Sequence, residues 1–185
     1  MKKLSFFFCA IAFMAFSFSA CRNKQPKEPA APEVEAEAAT PDSTIYGVCG
    51  DGTSMHSLEL ITDAGDTLQY MFGEGDDSPV VGGLLAGDRL AVVGGPVADG
   101  GRTARKIINL TTLIGKWTSL DKNFEIEEGG VVQSNVEAEK NPWTSWKILN
   151  GKLLLNRDTF EIDNLGSDSL ALENNVGIFV YKRVK

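Results

Sequence analysis

The chain has 185 residues, 43% of them hydrophobic and 23% charged, with a formal net charge of −7, three Cys and a single His. An acidic chain with 9% aromatics is a poor surface for nucleic acid or anionic lipid, both of which call for a basic face. One His is too few for zinc, and it is the sole base for a Ser or Cys triad.

Lys2 and Lys3 precede an apolar run from Leu4 to Phe18, which ends in Ser19-Ala20-Cys21. A positive flank, an apolar core and small residues are the parts of a secretory signal. Phe18-Ser19-Ala20-Cys21 resembles the signal of bacterial lipoproteins, with Phe18 where Leu is usual. The resemblance implies a signal peptide over 1–20, cut before Cys21, and a Cys21 carrying diacylglyceryl on sulfur and a palmitate-type chain on nitrogen. Each buried methylene is worth about 0.8 kcal/mol and two chains suffice for stable anchoring, so such a Cys21 is a permanent membrane anchor. The competing reading, a transmembrane helix, has 17 residues from Leu4 to Ala20, the short limit for a span. Removal of 1–20 leaves 165 residues and, with Lys2 and Lys3 gone, takes the charge from −7 to −9. That length suits one medium domain or two small ones. The location implied is the cell envelope of a Gram-negative bacterium, at the outer membrane. Cys9 leaves with the signal and Cys21 takes lipid, so Cys49 is left without a partner in the chain. It reads either as a small buried hydrophobe or as an intermolecular or redox thiol.

Residues 21–43 comprise the lipidated Cys and a tether. From Arg22 to Ser43 there are four Pro, five Ala and four Glu with almost nothing to bury, the composition of a disordered spacer. As a coil it averages about 25 Å and fully extended approaches ~70 Å.

From Thr44 short apolar runs alternate with turn signals, the texture of all-β architecture. Strands are expected at 44–49, 57–62, 67–72, 89–93 and 104–110, with Leu58 and Leu60 on one face and Leu68, Tyr70 and Phe72 aligned. An irregular stretch over 73–87, with a helical turn near Val80–Leu85, separates the third strand from the fourth, and a loop over Gly94–Arg102 separates the last two. Three strands, an irregular connection and two strands resemble the order of an OB-fold, assigned here to 44–112, with Gly87-Asp88-Arg89-Leu90-Ala91-Val92-Val93-Gly94 as its fourth strand. Such folds often bind oligonucleotides, but this section has four basic residues against nine acidic ones and three aromatics, so no nucleic-acid partner is expected.

Residues 113–185 divide into eight short strands near 116–120, 124–127, 130–134, 145–149, 152–155, 159–164, 169–173 and 177–183, with Asn150-Gly151 a strong hairpin signal. Gly115-x-Trp117, Trp146-Lys147-Ile148, Phe160-Glu161-Ile162, Leu170-Ala171-Leu172 and Phe179-Val180-Tyr181-Lys182-Arg183 resemble the lipocalin-like (calycin) barrels of envelope lipoproteins. The resemblance implies an up-and-down β-barrel in which Gly115 and Trp117 close one end, and it implies binding of a small apolar ligand or of an envelope protein. Trp117 reads equally as a plain core indole. The inward positions are taken as Phe124, Ile126, Leu153, Leu155, Phe160, Ile162, Leu170, Leu172, Ile178 and Val180. Residues of that bulk fill an eight-stranded interior and leave at most a shallow mouth.

No catalytic residue, metal or cofactor is assigned. His56 reads as a loop or strand-edge residue; Glu74-x-Asp76-Asp77 and Asp163-Asn164 with Asp168 are acidic loops without EF-hand spacing. Gly50/Gly52 and Gly73/Gly75 lack the third glycine of a nucleotide cradle. Trp143 and Trp146 are candidates for a ligand or partner rim: on a strand they leave on opposite faces, in a turn after Pro142 both reach the rim, and core packing is the alternative. Asp42-Ser43-Thr44, Asp66-Thr67-Leu68 and Asp168-Ser169-Leu170 resemble short O-glycan acceptor patterns of envelope proteins, and Asn109-Leu110-Thr111 is an N-glycan sequon. Three functions stay open: a ligand- or partner-binding lipoprotein, an interaction or envelope-stress-sensing module with a filled barrel, and a carboxylate hydrolase, for which no pair of carboxylates stands out as buried in a cleft.

Overall fold

The computed structural model describes residues 41–72, 78–98, 100–135 and 141–184. The signal, Cys21, the tether up to Thr40 and the Glu74-x-Asp76-Asp77 cluster lie outside the described residues. Two β-sheets, joined by one helical turn, account for the fold within the compact unit Thr40–Lys185.

The first sheet has six strands: β1 (Thr44–Cys49), β2 (Ser57–Thr62), β3 (Thr67–Met71), β4 (Val80–Val81), β5 (Arg89–Ala98) and β6 (Gly101–Asn109). Alternation sets its inner face, with Leu58, Leu60 and Thr62 of β2 buried and the residues between them at least partly exposed. The turn from β2 to β3 places Gly65 at φ 89°, where a side chain would be strained. β1 pairs antiparallel with both β2 and β5, β5 with β6, and Met71 of β3 pairs in parallel with Thr103 of β6, so the sheet returns on itself. Cys49, Leu58, Leu60, Tyr70, Leu90, Val92 and Ile107 form its core.

Two expectations for this half are corrected. Val80–Leu85 makes no helical turn: Val80 and Val81 pair in parallel with Ile107 and Ile108 of β6. Two β-branched residues gain more from that ladder than from a turn that Gly82 and Gly83, both at positive φ, would break. Nor is Gly94–Arg102 a loop, because β5 and β6 continue as a hairpin to the Ala98–Gly101 pair, with register shifts around Gly94. The one described α-helix, α1 (Leu110–Leu113), begins where a strand was expected to end; Asn109 Oδ1 caps it by accepting the Thr112 N–H at 2.9 Å.

The second sheet is an eight-stranded up-and-down barrel of β7 (Gly115–Thr118), β8 (Asn123–Glu127), β9 (Val131–Ser134), β10 (Trp146–Leu149), β11 (Lys152–Leu155), β12 (Asp158–Leu165), β13 (Ser169–Asn174) and β14 (Gly177–Arg183). β14 pairs with β7, which brings the two ends of the meander together. The remaining seam, between β9 and β10, is nearly closed by the Val131–Ser145 bridge and by Trp146 Nε1–H donating to the Glu127 carbonyl at 2.7 Å. Asn150 (φ 51°) and Gly151 (φ 86°) are both left-handed, the conformation a two-residue type I′ hairpin needs.

The register of β14 is the third correction. Ile178 and Val180 point outward, 60% and 61% exposed, while Tyr181 is buried and Phe179 packs on the barrel core. Leu172 stands opposite Phe179 and Leu170 opposite Tyr181, so the aromatic pair shares the inner face with the leucines. The sequence here, Ile-Phe-Val-Tyr, is apolar at every position, and alternation alone could not choose the face.

The six-stranded sheet covers one end of the barrel. Ala91 and Ile108, from its outer face, and Leu110 and Leu113 of α1 belong to the barrel's core cluster. Tyr46 donates from its hydroxyl to the Ile148 carbonyl at 3.0 Å, and burial pushes its pKa up. The chain comes in beside this junction: Asn150 Oδ1 accepts from Ser43 N–H and hydroxyl, both at 2.8 Å, and Asn150 Nδ2 donates to the Pro41 carbonyl.

Outside this junction the Arg89 guanidinium grips both oxygens of Asp63 and holds that carboxyl below the usual carboxylate range. A folded-state pKa that is depressed adds stability above the unfolded pKa and loses it as pH falls through the folded one. Both side chains are about half exposed, so Asp63→Asn is expected to cost no more than about 1 kcal/mol at neutral pH. Urea unfolding of both proteins should show that difference shrinking in 1 M salt and vanishing in acid.

Candidate functional site

At the end of the barrel away from the six-stranded sheet lies a half-open concavity of about 930 Å³. Its floor is aromatic, made of Trp143, Phe160, Phe179 and Tyr181, and its rim carries Asp121, Lys122, Asp158 and Asn174 with the exposed aliphatics Leu120 and Val176. Sites for small molecules span roughly 300–1,000 Å³ and combine apolar walls with a few polar groups, so size and lining fit such a ligand. Below the floor the barrel is filled. Phe124, Leu153, Leu155, Leu170 and Leu172 are buried, and Phe124 meets Trp143 and Tyr181 edge-on with centroids 5.1 Å apart in both pairs.

Trp143 is 7% exposed and packs as part of this floor. Its Nε1–H donates to Asp158 Oδ2 at 3.2 Å, and Lys122 Nζ lies 4.1 Å above its ring. Asn156 holds the segment that carries it. At φ 55° in the two-residue β11–β12 turn, its Oδ1 accepts the Thr144 and Ser145 N–H groups at 2.9 and 3.1 Å, and its Nδ2 donates to the Pro142 carbonyl at 3.1 Å. Sequence reasoning missed Asn156; the one available signal was an Asn in a two-residue link, the residue that tolerates a left-handed backbone.

The two rim candidates do not share a site. Trp146 is half-buried and lines a second hollow of about 530 Å³ with Tyr46, Arg89, Leu110, Ile114 and Lys147. Residues three apart on an extended chain leave it on opposite sides.

Gly115 and Trp117 sit at the covered end. Trp117 is fully buried, donates from Nε1 to the Leu113 carbonyl at 2.9 Å, and has the Arg183 guanidinium 4.2 Å from its ring. Arg183 donates to the Ser167 carbonyl of the β12–β13 turn at 2.6 Å, and to the Ile114 carbonyl at 2.9 Å and the Thr112 carbonyl, taking up with the last two acceptors left open where α1 ends. Burial lowers its pKa from the ordinary arginine value. Gly115 is at φ 136°, and a Cβ there would collide with Arg183 Nη1.

Cys49 is buried with its sulfur 3.3 Å from Thr53 Oγ1, and His56 is exposed in the turn before β2. Among the described residues no group of three His, Cys, Asp or Glu is placed to hold a metal, and no helix is long and apolar enough to cross a membrane. No protein-family model, no curated protein and no solved structure matches the chain.

Proposed function

We propose that the chain is a lipid-anchored envelope lipoprotein of the outer membrane, without catalytic activity, whose barrel mouth binds the apolar part of a small ligand. The observation that carries the binding reading is the aromatic-floored concavity of about 930 Å³ above a filled barrel. The residues Phe18-Ser19-Ala20-Cys21 support the anchor, with Cys21 as the acylated position. We read the barrel as lipocalin-like, supported by its up-and-down strand order and by the Gly115, Trp117 and Arg183 arrangement at the covered end. The six-stranded sheet we read as OB-like, supported by β1 lying between β2 and β5 and by the parallel β3–β6 pairing. Its acidic balance argues against nucleic acid as the partner.

Full-length protein from cells fed labelled palmitate is expected in the membrane fraction carrying label, and unlabelled protein in the cytosol overturns the anchor. Titration of the detergent-extracted protein with a fluorescent fatty acid is expected to saturate. Phe179→Asp, which puts a carboxylate on the half-buried floor, should weaken binding about tenfold or more, and Trp146→Ala should leave it unchanged. No saturation favours the second reading, an interaction or stress-sensing module without a small ligand. The packed interior under the mouth is the observation on its side.

A further inference from the structure

The wall of the barrel is uneven at the mouth. β14 pairs with β13 along six residue pairs, from Ser169–Lys182 to Asn174–Gly177. On its other side β7 engages only Lys182 and Arg183. The β7 strand ends at Thr118, and the chain turns back at once, with Ser119 N–H donating to the Lys122 carbonyl at 2.7 Å. Residues 177–181 of β14 therefore stand above β7 as one edge of the tall wall formed by β12, β13 and β14.

The direction of the backbone groups on that edge follows from the register. The two-residue turn after Asn174 makes Asn174–Gly177 a hydrogen-bonded pair, and antiparallel pairs alternate, so Leu172–Phe179 and Leu170–Tyr181 are hydrogen-bonded pairs as well. Lower down, Arg183 N–H donates to the Asp168 carbonyl at 2.9 Å, in phase with this assignment. The N–H and C=O groups of Ile178 and Val180 accordingly point away from β13. Among the described residues neither has a backbone partner. The side chains of both are more than half exposed on the outer face, and Leu120, across the concavity, is fully exposed. Folded proteins usually blunt an edge of this kind with charge, a bulge or a covering loop, whereas here it is lined by β-branched apolar residues.

We propose that the open edge which Ile178 and Val180 present on β14 receives an extended, apolar polypeptide segment of a partner protein as an added strand. The concavity between β14 and the β7–β8 turn holds it, and the backbone groups of Ile178 and Val180 pair with it. This rests on the reading of the barrel mouth as a binding surface and gives it a second occupant, the backbone of a partner protein, beside the small ligand. A fatty chain fills apolar space but offers nothing to the two outward N–H and C=O pairs; a peptide backbone supplies both, at the spacing of a strand. The five edge residues span about 16 Å at roughly 3.3 Å each. Alternate side chains of the added strand would lie over Phe179 and Tyr181 on the inside and beside Ile178 and Val180 on the outside.

Hydrogen exchange by NMR on the full-length protein in detergent tests it without any substitution. In the free protein the amides of Ile178 and Val180 are expected to exchange at least about tenfold faster than those of Phe179 and Tyr181, and four equally slow amides would overturn the open edge. Addition of an acetylated eight-residue peptide of alternating valine and threonine, ended by glutamates, should slow Ile178 and Val180 selectively. Val180→Pro removes one outward N–H that β13 does not use, a substitution an edge strand tolerates, and should weaken the peptide about tenfold. Peptide that leaves both amides fast while fatty acid still binds overturns the added strand and spares the mouth as a ligand site. Peptide protection without fatty-acid binding supports the added strand and removes the small ligand.

Discussion

Replacing Trp117 by alanine is expected to lower the stability of the folded body by about 3–5 kcal/mol, the range for deleting a large aromatic from a core. Three losses coincide at this position. The indole is fully buried at the covered end of the barrel, so its removal leaves a cavity that Leu113 and Phe124, themselves fully packed, cannot collapse to fill. The Leu113 carbonyl loses its bond to Nε1, and the Arg183 guanidinium loses the ring it lies against. Trp117→Phe separates these contributions, because it keeps most of the apolar volume and gives up the hydrogen bond. It is expected to cost about 1–2 kcal/mol for the unmet carbonyl. Denaturant unfolding of the three proteins measures both steps. A loss below about 1 kcal/mol for Trp117→Ala would show that the end of the barrel is held by the six-stranded sheet instead.

Asn156→Ala is expected to cost about 2–3 kcal/mol and also to disturb the mouth, an effect that Trp117 substitutions at the far end should not have. The carboxamide organises Pro142 to Ser145, and with it the ring of Trp143 between Lys122 and the floor. Alanine loses these bonds, each worth about 1 kcal/mol, and accepts the left-handed backbone at φ 55° less readily than asparagine. Asn156→Gly relieves the backbone and still loses the bonds, so the difference between the two variants is the strain less glycine's extra unfolded-chain entropy. Near-ultraviolet circular dichroism and the change in tryptophan fluorescence, read in a Trp146→Phe background that leaves only Trp117 at the far end beside Trp143, report the ring. If both variants keep the wild-type signals, the segment is placed by the burial of Trp143 and not by Asn156.

Much of the strand pattern was legible because each half-buried strand writes a two-residue period into the chain. Ser57–Thr62 and Lys152–Leu155 were delimited to the residue, and Asn150-Gly151 marked its hairpin through the left-handed conformations that pair of residues accepts. The pattern failed where the period vanishes. In Ile178-Phe179-Val180-Tyr181 every residue is apolar, and the inner face was settled by Leu170 and Leu172 on β13 across the ladder. The parallel pairing of Val80 and Val81 with β6 was equally out of reach, since it joins residues 27 positions apart through a stretch that has no period.

The candidate site was less legible than the fold. Trp143 and Trp146 stood out as indoles near a proline, yet they line two different hollows. Asn156, which places the first of them, is one Asn among several in short links. Its role depends on three carbonyl and amide groups that approach it from another strand connection.

Local chemistry written along the chain was enough for the all-β class, for eight strands after Gly115, for their hairpins and for an interior packed with large side chains. These follow from the period of burial and from which residues tolerate a turn, both properties of near neighbours. The covering of one barrel end by the outer face of the six-stranded sheet, the facing of β14 and its free edge at the mouth came from the folded molecule alone. Each depends on register or contact between segments far apart in sequence, and a ladder's register is fixed by what both strands bury together.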